Sequence, residues 1–183
     1  MLEKLIAYYC APALAGIKSS NIFSCYKDKC PDAKTEIQKL NKLLNKKDIY
    51  IETLCECERR LLLIVYRKQK LLNQLEDVSI KELLSKYGYR DCKTIPDYLN
   101  ALRIRLEDKE FPHEIGAFLG YPVQDIYGFI YHKDEGCLLV GEWRVYSNKE
   151  NAKIMFLRFK RCRKALLKRV MDGNSLADIF CVA

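Results

Sequence analysis

The chain has 183 residues, of which 49% are apolar and 31% are charged, and its formal net charge is +8. These values are typical of a folded globular protein and exclude a disordered or low-complexity chain, so we predict that residues 1–183 form a single domain. No run approaches the roughly 20 apolar residues that a membrane-spanning helix requires. The positive charge will attract polyanions, but it does not identify one as the ligand.

The N-terminal segment predicts a helix that extends from residue 2 to about Pro12. Lys4 and the apolar residues after it imitate a secretion signal, but Glu3 lies in the would-be basic region and Pro12 interrupts the apolar run. We therefore expect a cytoplasmic protein. The segment Gly16–Ser19 is not a phosphate-binding loop, because that motif requires a glycine directly before the lysine. Lys18 is kept as a candidate ligand residue, with a solvated surface lysine as the alternative.

Nine cysteines, an odd number, are scattered along the chain without any C-x-x-C pair. Cys25 and Cys30 bracket a polar loop, but no second pair at zinc-finger spacing completes a site, so whether they bind a metal stays open. Cys55 and Cys57 alternate in a predicted strand, which is more typical of a core face than of a ligand pair. We predict reduced thiols and no metal site.

Two stretches in the first half predict neighbouring strands. Apolar residues alternate with polar ones from Ile49 to Glu58, which is typical of a half-buried strand. The run Leu61–Tyr66 is apolar on both faces, which indicates the central strand of its sheet. Before them, Pro31-Asp32 predicts the start of a helix with Asp32 as its N-cap.

The segment Phe111–Asn148 predicts two short helices and a third strand. Pro112 is expected to begin a helix, Gly120 to end it, and Pro122 to begin the next. An extended run from Cys137 to Tyr146 then contains Trp143, the only tryptophan, which we expect to lie in the core beside its apolar neighbours Leu139 and Val145. With the remaining helical periodicity, the sequence predicts an α+β fold: a small, three-stranded, largely antiparallel sheet wrapped by about seven or eight helices.

A long basic helix is predicted from residue 149 to about residue 171. Its apolar stripe recurs at helical spacing and includes Phe156 and Phe159. Another side carries Lys153, Lys160, Lys164 and Lys168. Arginines widen this basic surface, and Glu150 is the only acidic residue in the helix.

Three motifs occur together: A-P-x-L-x-G-x-K from Ala11, F-P-H-E-I-G-x-F-L-G-Y-P-x-x-D-I-x-G-F-I from Phe111, and G-x-W-x-V-Y from Gly141. With them the sequence resembles a family of small bacterial proteins, common in anaerobes, that is classified as a domain of unknown function. The resemblance implies a bacterial, cytoplasmic origin and a single domain. It implies no activity or cofactor.

The first candidate site is a ligand site that contains His113 and Glu114, with Lys18 and Tyr121 as further candidates. Both His113 and Glu114 are expected in the first turn of the helix that Pro112 begins, where the helix dipole favours an anion and acid–base chemistry is possible. Ala117 occupies the position of the second histidine of H-E-x-x-H, which excludes a zinc protease. The alternative is that Glu114 only complements the dipole and His113 packs at a turn.

The second candidate is a DNA-binding helix-turn-helix within residues 115–131, since its apolar and glycine spacing matches. The would-be recognition helix carries Asp125 and no lysine or arginine, although readers of base edges generally have basic support nearby. A compact helical hairpin is the alternative interpretation.

The third candidate is the basic helix, as a surface for nucleic acid, phosphate groups or an acidic protein, with a merely solvated face as the alternative. We therefore favour a cytoplasmic binding or accessory protein whose basic helical surface takes an anionic ligand or partner. A small enzyme, redox- or metal-associated and using His113 and Glu114, is the competing hypothesis. The sequence leaves the ligand, any cofactor and the oligomeric state open.

Overall fold

The computed structural model describes residues 1–108 and 110–181. The chain divides into two units, of which the first comprises Met1–Lys70 with Arg161–Ala183 and the second comprises Leu71–Lys160. Nine α-helices lie within the described residues: α1 (Leu2–Leu14), α2 (Ala33–Leu44), α3 (Lys68–Leu75), α4 (Val78–Ser85), α5 (Ile95–Leu106), α6 (Ile115–Phe118), α7 (Val123–His132), α8 (Lys149–Met171) and α9 (Leu176–Cys181). The described strands are β1 (Ser20–Tyr26), β2 (Ile49–Glu56), β3 (Arg60–Arg67), β4 (Leu139–Val140) and β5 (Arg144–Val145).

The first unit contains a three-stranded antiparallel sheet in the order β1-β3-β2. The predicted α+β class and antiparallel sheet are confirmed, and β3 is the central strand, as its continuous apolar run indicated. Residues 63–66 of β3 are all buried, so this strand is covered on both faces, whereas β2 mixes buried with half-buried residues and ends in the exposed Cys55 and Glu56. A register shift between Thr53 and Cys55 interrupts the pairing of β2 with β3.

The core of the first unit lies against one face of this sheet. Leu63 and Val65 of β3 are completely buried in it, together with Ile6 and Leu14 of α1. Helix α2 and the C-terminal part of α8 contribute Leu40 and Leu166, and α9 contributes Leu176. The helix predicted after Pro31 is α2, whose buried residues recur at helical spacing, namely Ala33, Ile37, Leu40 and Leu44.

The prediction of the third strand is wrong. The third strand of the sheet is β1, whereas Cys137–Tyr146 contributes the separate two-stranded hairpin of β4 and β5. In the hairpin Leu138 N–H donates to Val145 O at 2.8 Å and Gly141 N–H donates to Trp143 O at 3.1 Å, so this backbone pairs with itself. The sequence of β1, S-N-I-F-S-C-Y, has few β-branched residues, and its pairing with β3 was not apparent from local pattern.

Helix α1 continues past Pro12 to Leu14, where the prediction ended it at about Pro12. A proline has no N–H to donate, but its fixed φ is helical, so in the last turn it removes one hydrogen bond without stopping the chain. The carbonyl of Pro12 then accepts from the N–H groups of Ile17 and Lys18 at 2.8 and 3.0 Å. These bonds, with Gly16 at a φ of 70°, end the helix.

The second unit is built on buried aromatic residues. The rings of Tyr89, Tyr98 and Phe118 lie within 6.5 Å of one another, centroid to centroid. Thr94 begins α5 with a capping box, in which its hydroxyl accepts from Asp97 N–H and the Asp97 carboxylate accepts from Thr94 N–H. Of the described helices, none combines the length and apolar character that crossing a membrane would need.

Candidate anion-binding surface

His113 and Glu114 lie in a turn before α6 rather than inside a helix. Helix α6 begins at Ile115 and has only four residues, so the expectation that Pro112 begins it is wrong. The carbonyl of Pro112 accepts from Ile115 N–H at 3.2 Å, which is a turn that leads into the helix. His113 is exposed, and its ring contacts Phe129 edge-on with centroids 4.9 Å apart.

Glu114 is buried, with only 1% of its surface exposed, and its carboxylate is already paired. Its Oε1 accepts from Arg105 Nε at 2.8 Å, and Tyr89 OH lies 3.5 Å from the same oxygen. The pKa of Arg105 is raised chiefly by the hydrogen bond to Glu114, and the pKa of Tyr89 is raised by burial and by the Glu114 charge. Glu114 therefore has the contacts of an internal ion pair, while His113 faces solvent.

The other two candidates have different surroundings. Tyr121 stacks on Trp143 with centroids 5.0 Å apart, and its hydroxyl donates to Glu142 O at 3.0 Å. Lys18 belongs to the first unit, where it is 6% exposed, while His113, Glu114 and Tyr121 belong to the second. Lys18 is thus not the solvated surface lysine of the alternative interpretation. Its charge opposes the rise that burial causes in the pKa of Cys10.

Asp125 joins α7 to the residues around the hairpin, a role that the sequence did not reveal. Its Oδ2 accepts from Trp143 Nε1 at 2.7 Å, and its Oδ1 accepts from Tyr146 N–H at 2.8 Å. The N–H and hydroxyl of Ser147 donate to the same Oδ1 at 2.9 and 2.8 Å. Trp143 is half-buried rather than in the core, so its predicted placement is wrong. Its indole N–H is nevertheless satisfied by the buried Asp125.

A groove of about 540 Å³ lies beside α7, and its walls include Tyr127, Tyr131 and Tyr146 with Gly128 between them. Tyr127 and Tyr131 stack nearly parallel with centroids 5.9 Å apart. Lys86 Nζ lies 5.1 Å above the Tyr127 ring, a cation–π contact. The i, i+4 spacing of the two tyrosines was a signal in the sequence for their stacking on one side of a helix.

Helix α8 carries the exposed basic residues that the sequence analysis predicted for it. Eight of its nine basic side chains are exposed and Arg163 is half-buried. We call the exposed set the basic face: Lys149, Lys153, Arg158, Lys160, Arg161, Lys164, Lys168 and Arg169. The buried residues of the same helix, Ala152, Phe159, Leu166 and Val170, lie on its other side. The helix therefore has one apolar stripe and one basic surface, as its periodicity indicated.

Only one position of the basic face is paired with an acid inside the helix. Lys153 Nζ lies 2.8 Å from Glu150 Oε1, and this pair holds the pKa of Glu150 below its usual value. Within residues 1–108 and 110–181 no acidic side chain pairs with Lys160, Lys164 or Lys168. These three lysines carry net positive charge toward solvent.

A known protein family matches this chain over nearly its whole length. Residues 6–180 match the family described as "Protein of unknown function (DUF3793)". The chain belongs to this family. No curated protein matches the chain. No solved structure matches it either.

The basic face of this family member also contains aliphatic side chains. Ile154 is 57% exposed and Leu157 is 54% exposed, and both lie between lysines along α8. Isolated exposed aliphatic residues are ordinary on protein surfaces. Here they give the face apolar contact area beside its charges.

The described cysteines are free thiols, and Cys25 and Cys30 are both buried. Burial and the neighbouring thiol of Cys30 raise the pKa of Cys25 to about 12, which disfavours the thiolate that a metal would require. Among the described histidine, cysteine and acidic side chains, no group of three is arranged to hold a metal ion.

Proposed function

We propose that this protein is a binding protein, and that the basic face of α8 binds nucleic acid through its phosphate backbone. The observation that supports this function is the exposure of eight basic side chains on one helix that contains a single acidic residue. Exposed lysine and arginine side chains neutralise phosphates and release the counterions condensed on them, which is the main source of affinity in sequence-independent binding.

The length of the basic face favours an extended polyanion over a small anion. Lys149 and Arg169 are 20 residues apart in a continuous helix, so the face is about 30 Å long at 1.5 Å per residue. A phosphate ion or a nucleotide could contact only one or two of these side chains at a time. A nucleic-acid strand presents charges at regular intervals over the whole length.

The competing enzyme hypothesis has less support. Its carboxylate, Glu114, is buried and bound to Arg105, and its histidine is exposed against Phe129. A general base needs a free acceptor within reach of a substrate proton. The helix-turn-helix hypothesis also has less support, because α6 is a single turn and Asp125 on α7 is bound to Trp143, Tyr146 and Ser147.

We further propose that the protein acts in a bacterial cytoplasm and that its two units unfold as one domain. The nine cysteines, an odd number that cannot all be paired, support a reducing compartment. A single thermal transition with equal calorimetric and van't Hoff enthalpies would support one domain. Two separate transitions would contradict it.

The experiment is a fluorescence-anisotropy titration of labelled DNA and RNA oligomers across a salt series. The variant Lys160→Gln/Lys164→Gln/Lys168→Gln removes three neighbouring charges of the basic face. Each lost phosphate contact should reduce the slope of log K against log salt by roughly 0.7–0.9, so we expect a slope that is flatter by about two units. Binding should weaken equally for unrelated sequences, because phosphate contacts carry no sequence information.

The matched control is Lys39→Gln/Lys42→Gln/Lys46→Gln, which changes three exposed lysines on and just after α2. Both variants lower the formal net charge from +8 to +5, that is, by three. If the two variants lose affinity equally, net charge and not the basic face is responsible. If the parent protein binds neither DNA nor RNA at low salt, nucleic acid is the wrong polyanion, and an acidic protein becomes the better hypothesis.

A further inference from the structure

The turn between β2 and β3 brings two exposed thiols to one end of the sheet. Strand β2 ends at Glu56 and β3 begins at Arg60, and Cys57 N–H donates to Arg60 O at 2.9 Å across the turn. Cys55 lies opposite Leu62 in the strand register. Cys55 and Cys57 are the two exposed cysteines of the described chain.

The same register places an arginine beside these thiols. Residues two apart in a strand share a side of the sheet, as do residues directly opposite each other, so Cys55, Cys57 and Arg60 share one side. On β1, Ser24 lies opposite Leu62, and its hydroxyl accepts from Arg60 Nη1 at 3.3 Å. A shallow groove of about 360 Å³ opens here, with Tyr26, Cys57 and residues 58–60 as its walls.

The surroundings of Cys57 favour its thiolate form. The backbone N–H groups of Arg59 and Arg60, together with the Arg60 guanidinium, lower the pKa of Cys57. Burial has the opposite effect elsewhere, since it raises the pKa of Cys10, Cys92 and Cys162. A thiolate in an exposed, electropositive position is the form that attacks electrophiles.

We propose that Cys57 and Cys55 form a redox site in which a hydroperoxide oxidises Cys57 and Cys55 then closes a disulfide with it. In the first step the Cys57 thiolate attacks the terminal oxygen of the hydroperoxide. An S–O bond forms and the O–O bond breaks. The sulfur loses two electrons to the peroxide, which leaves as hydroxide or alkoxide and takes a proton from water, while Cys57 becomes a sulfenic acid. The Arg60 guanidinium lies where it can stabilise the leaving oxygen anion.

In the second step the Cys55 sulfur attacks the sulfenic sulfur of Cys57. The S–S bond forms, the S–O bond breaks, and the leaving oxygen combines with the Cys55 proton and departs as water. Residues two apart in an extended strand have Cα atoms about 6.6 Å apart, which is near the upper end of the range that a disulfide spans. Cys57 lies beyond the end of β2, where the turn allows the remaining approach.

The test treats the reduced full-length protein with one equivalent of hydrogen peroxide at neutral pH, followed by intact-mass and peptide-mass analysis. We expect a loss of two hydrogens, located to a Cys55–Cys57 linkage. In Cys55→Ser the sulfenic acid should persist and be trapped by dimedone on Cys57. In Cys57→Ser the first equivalent should produce neither product. The control Cys137→Ser removes a half-buried thiol outside this cluster and should behave as the parent protein does.

A second readout does not depend on the disulfide. Without peroxide, limiting iodoacetamide should label Cys57 on the order of tenfold faster than Cys55, because an ordinary thiol is only a few per cent ionised at neutral pH. Equal labelling of Cys55 and Cys57 would overturn the nucleophile assignment. Dimedone capture on Cys57 in the parent protein, without a Cys55–Cys57 linkage, would overturn the role of Cys55. Circular dichroism of each variant establishes that it is folded before it is compared.

Discussion

The residues around Asp125 and the basic face of α8 use charge in opposite ways. Asp125 is 3% exposed, and both of its carboxylate oxygens accept hydrogen bonds from within the chain. The lysines of the basic face are exposed, and Lys160, Lys164 and Lys168 have no acidic partner in the described parts of the chain. A charge whose bonds are completed internally stabilises the fold, whereas a charge that faces solvent contributes little to stability and stays available to a ligand.

The same contrast separates the candidate sites that the sequence suggested. Glu114 resembles Asp125, since it is buried and paired with Arg105. The basic face differs from both because, apart from Lys153 beside Glu150, its charges accumulate without an acidic partner in the described residues. The contrast leads to four measurable expectations, from the largest effect to the smallest.

Asp125→Ala should lower the free energy of unfolding by about 3–5 kcal/mol, because it leaves the donors of Trp143, Tyr146 and Ser147 without an acceptor. Chemical denaturation followed by circular dichroism measures this loss. Asp125→Asn is the sharper control. An asparagine keeps one oxygen for Tyr146 and Ser147 but turns an NH₂ toward the Trp143 N–H, so its loss should be intermediate. A loss below about 1 kcal/mol for the alanine variant would show that solvent replaces these bonds.

Gly128→Ala should destabilise the second unit, because an added Cβ would overlap the ring of Tyr146. Overpacking costs about 1–3 kcal/mol, which exceeds the gain of about 1 kcal/mol from replacing glycine inside a helix. The sign should reverse in a Tyr146→Gly background, which removes the ring and also the Tyr146 Cβ that the added atom would meet, so that only the helical gain remains. Thermal denaturation of the four proteins of this double-mutant cycle measures the coupling. An unchanged sign would place the cause elsewhere than in the Tyr146 ring.

The Lys160→Gln/Lys164→Gln/Lys168→Gln variant should change the free energy of unfolding by less than about 1 kcal/mol, although it weakens nucleic-acid binding. These side chains are exposed, so their removal breaks no internal contact. Denaturant unfolding at two salt concentrations tests this expectation. A large loss of stability would mean that the basic face belongs to the fold and would erase its contrast with Asp125.

Glu56→Gln should give the smallest effect, and one that depends on pH. Hydrogen bonds from Lys27 and Lys34 lower the pKa of Glu56 from its usual 4.5 to about 2. Because the folded-state pKa is the lower one, the ion pairs stabilise the protein above about pH 4.5, and that contribution is lost as the pH falls toward 2. The difference between the melting temperatures of variant and parent should therefore be small at pH 7, shrink as the pH falls from 4.5 toward 2, and vanish only below about pH 2. A difference that is as large at pH 2 as at pH 7 would exclude the carboxylate charge as its source.

The largest correction to the sequence analysis, the identity of the third strand, concerns a pairing between distant segments. The alternation of β2, the apolar run of β3 and the helical stripe of α8 are local patterns, and each element lies where its pattern indicated. The choice of β1 over Cys137–Tyr146 as the third strand depends on which segment binds an edge of β3. Local propensity does not contain that information, because strand pairing is decided by contacts far apart in sequence.

The sequence by itself determined the α+β class, the central strand and the long basic helix, because composition and periodicity carry these properties directly. Its motifs carried the resemblance to the family that matches residues 6–180. Only the tertiary structure decided that Glu114 is bound to Arg105, that Asp125 binds the hairpin, and that Cys57 lies beside Arg60. A side chain's chemistry depends on its partners and its burial, and both are set by residues that meet only when the chain has folded. The exposure and charge of the basic face of α8 do not depend on such partners. It is therefore the candidate site that the sequence alone could predict.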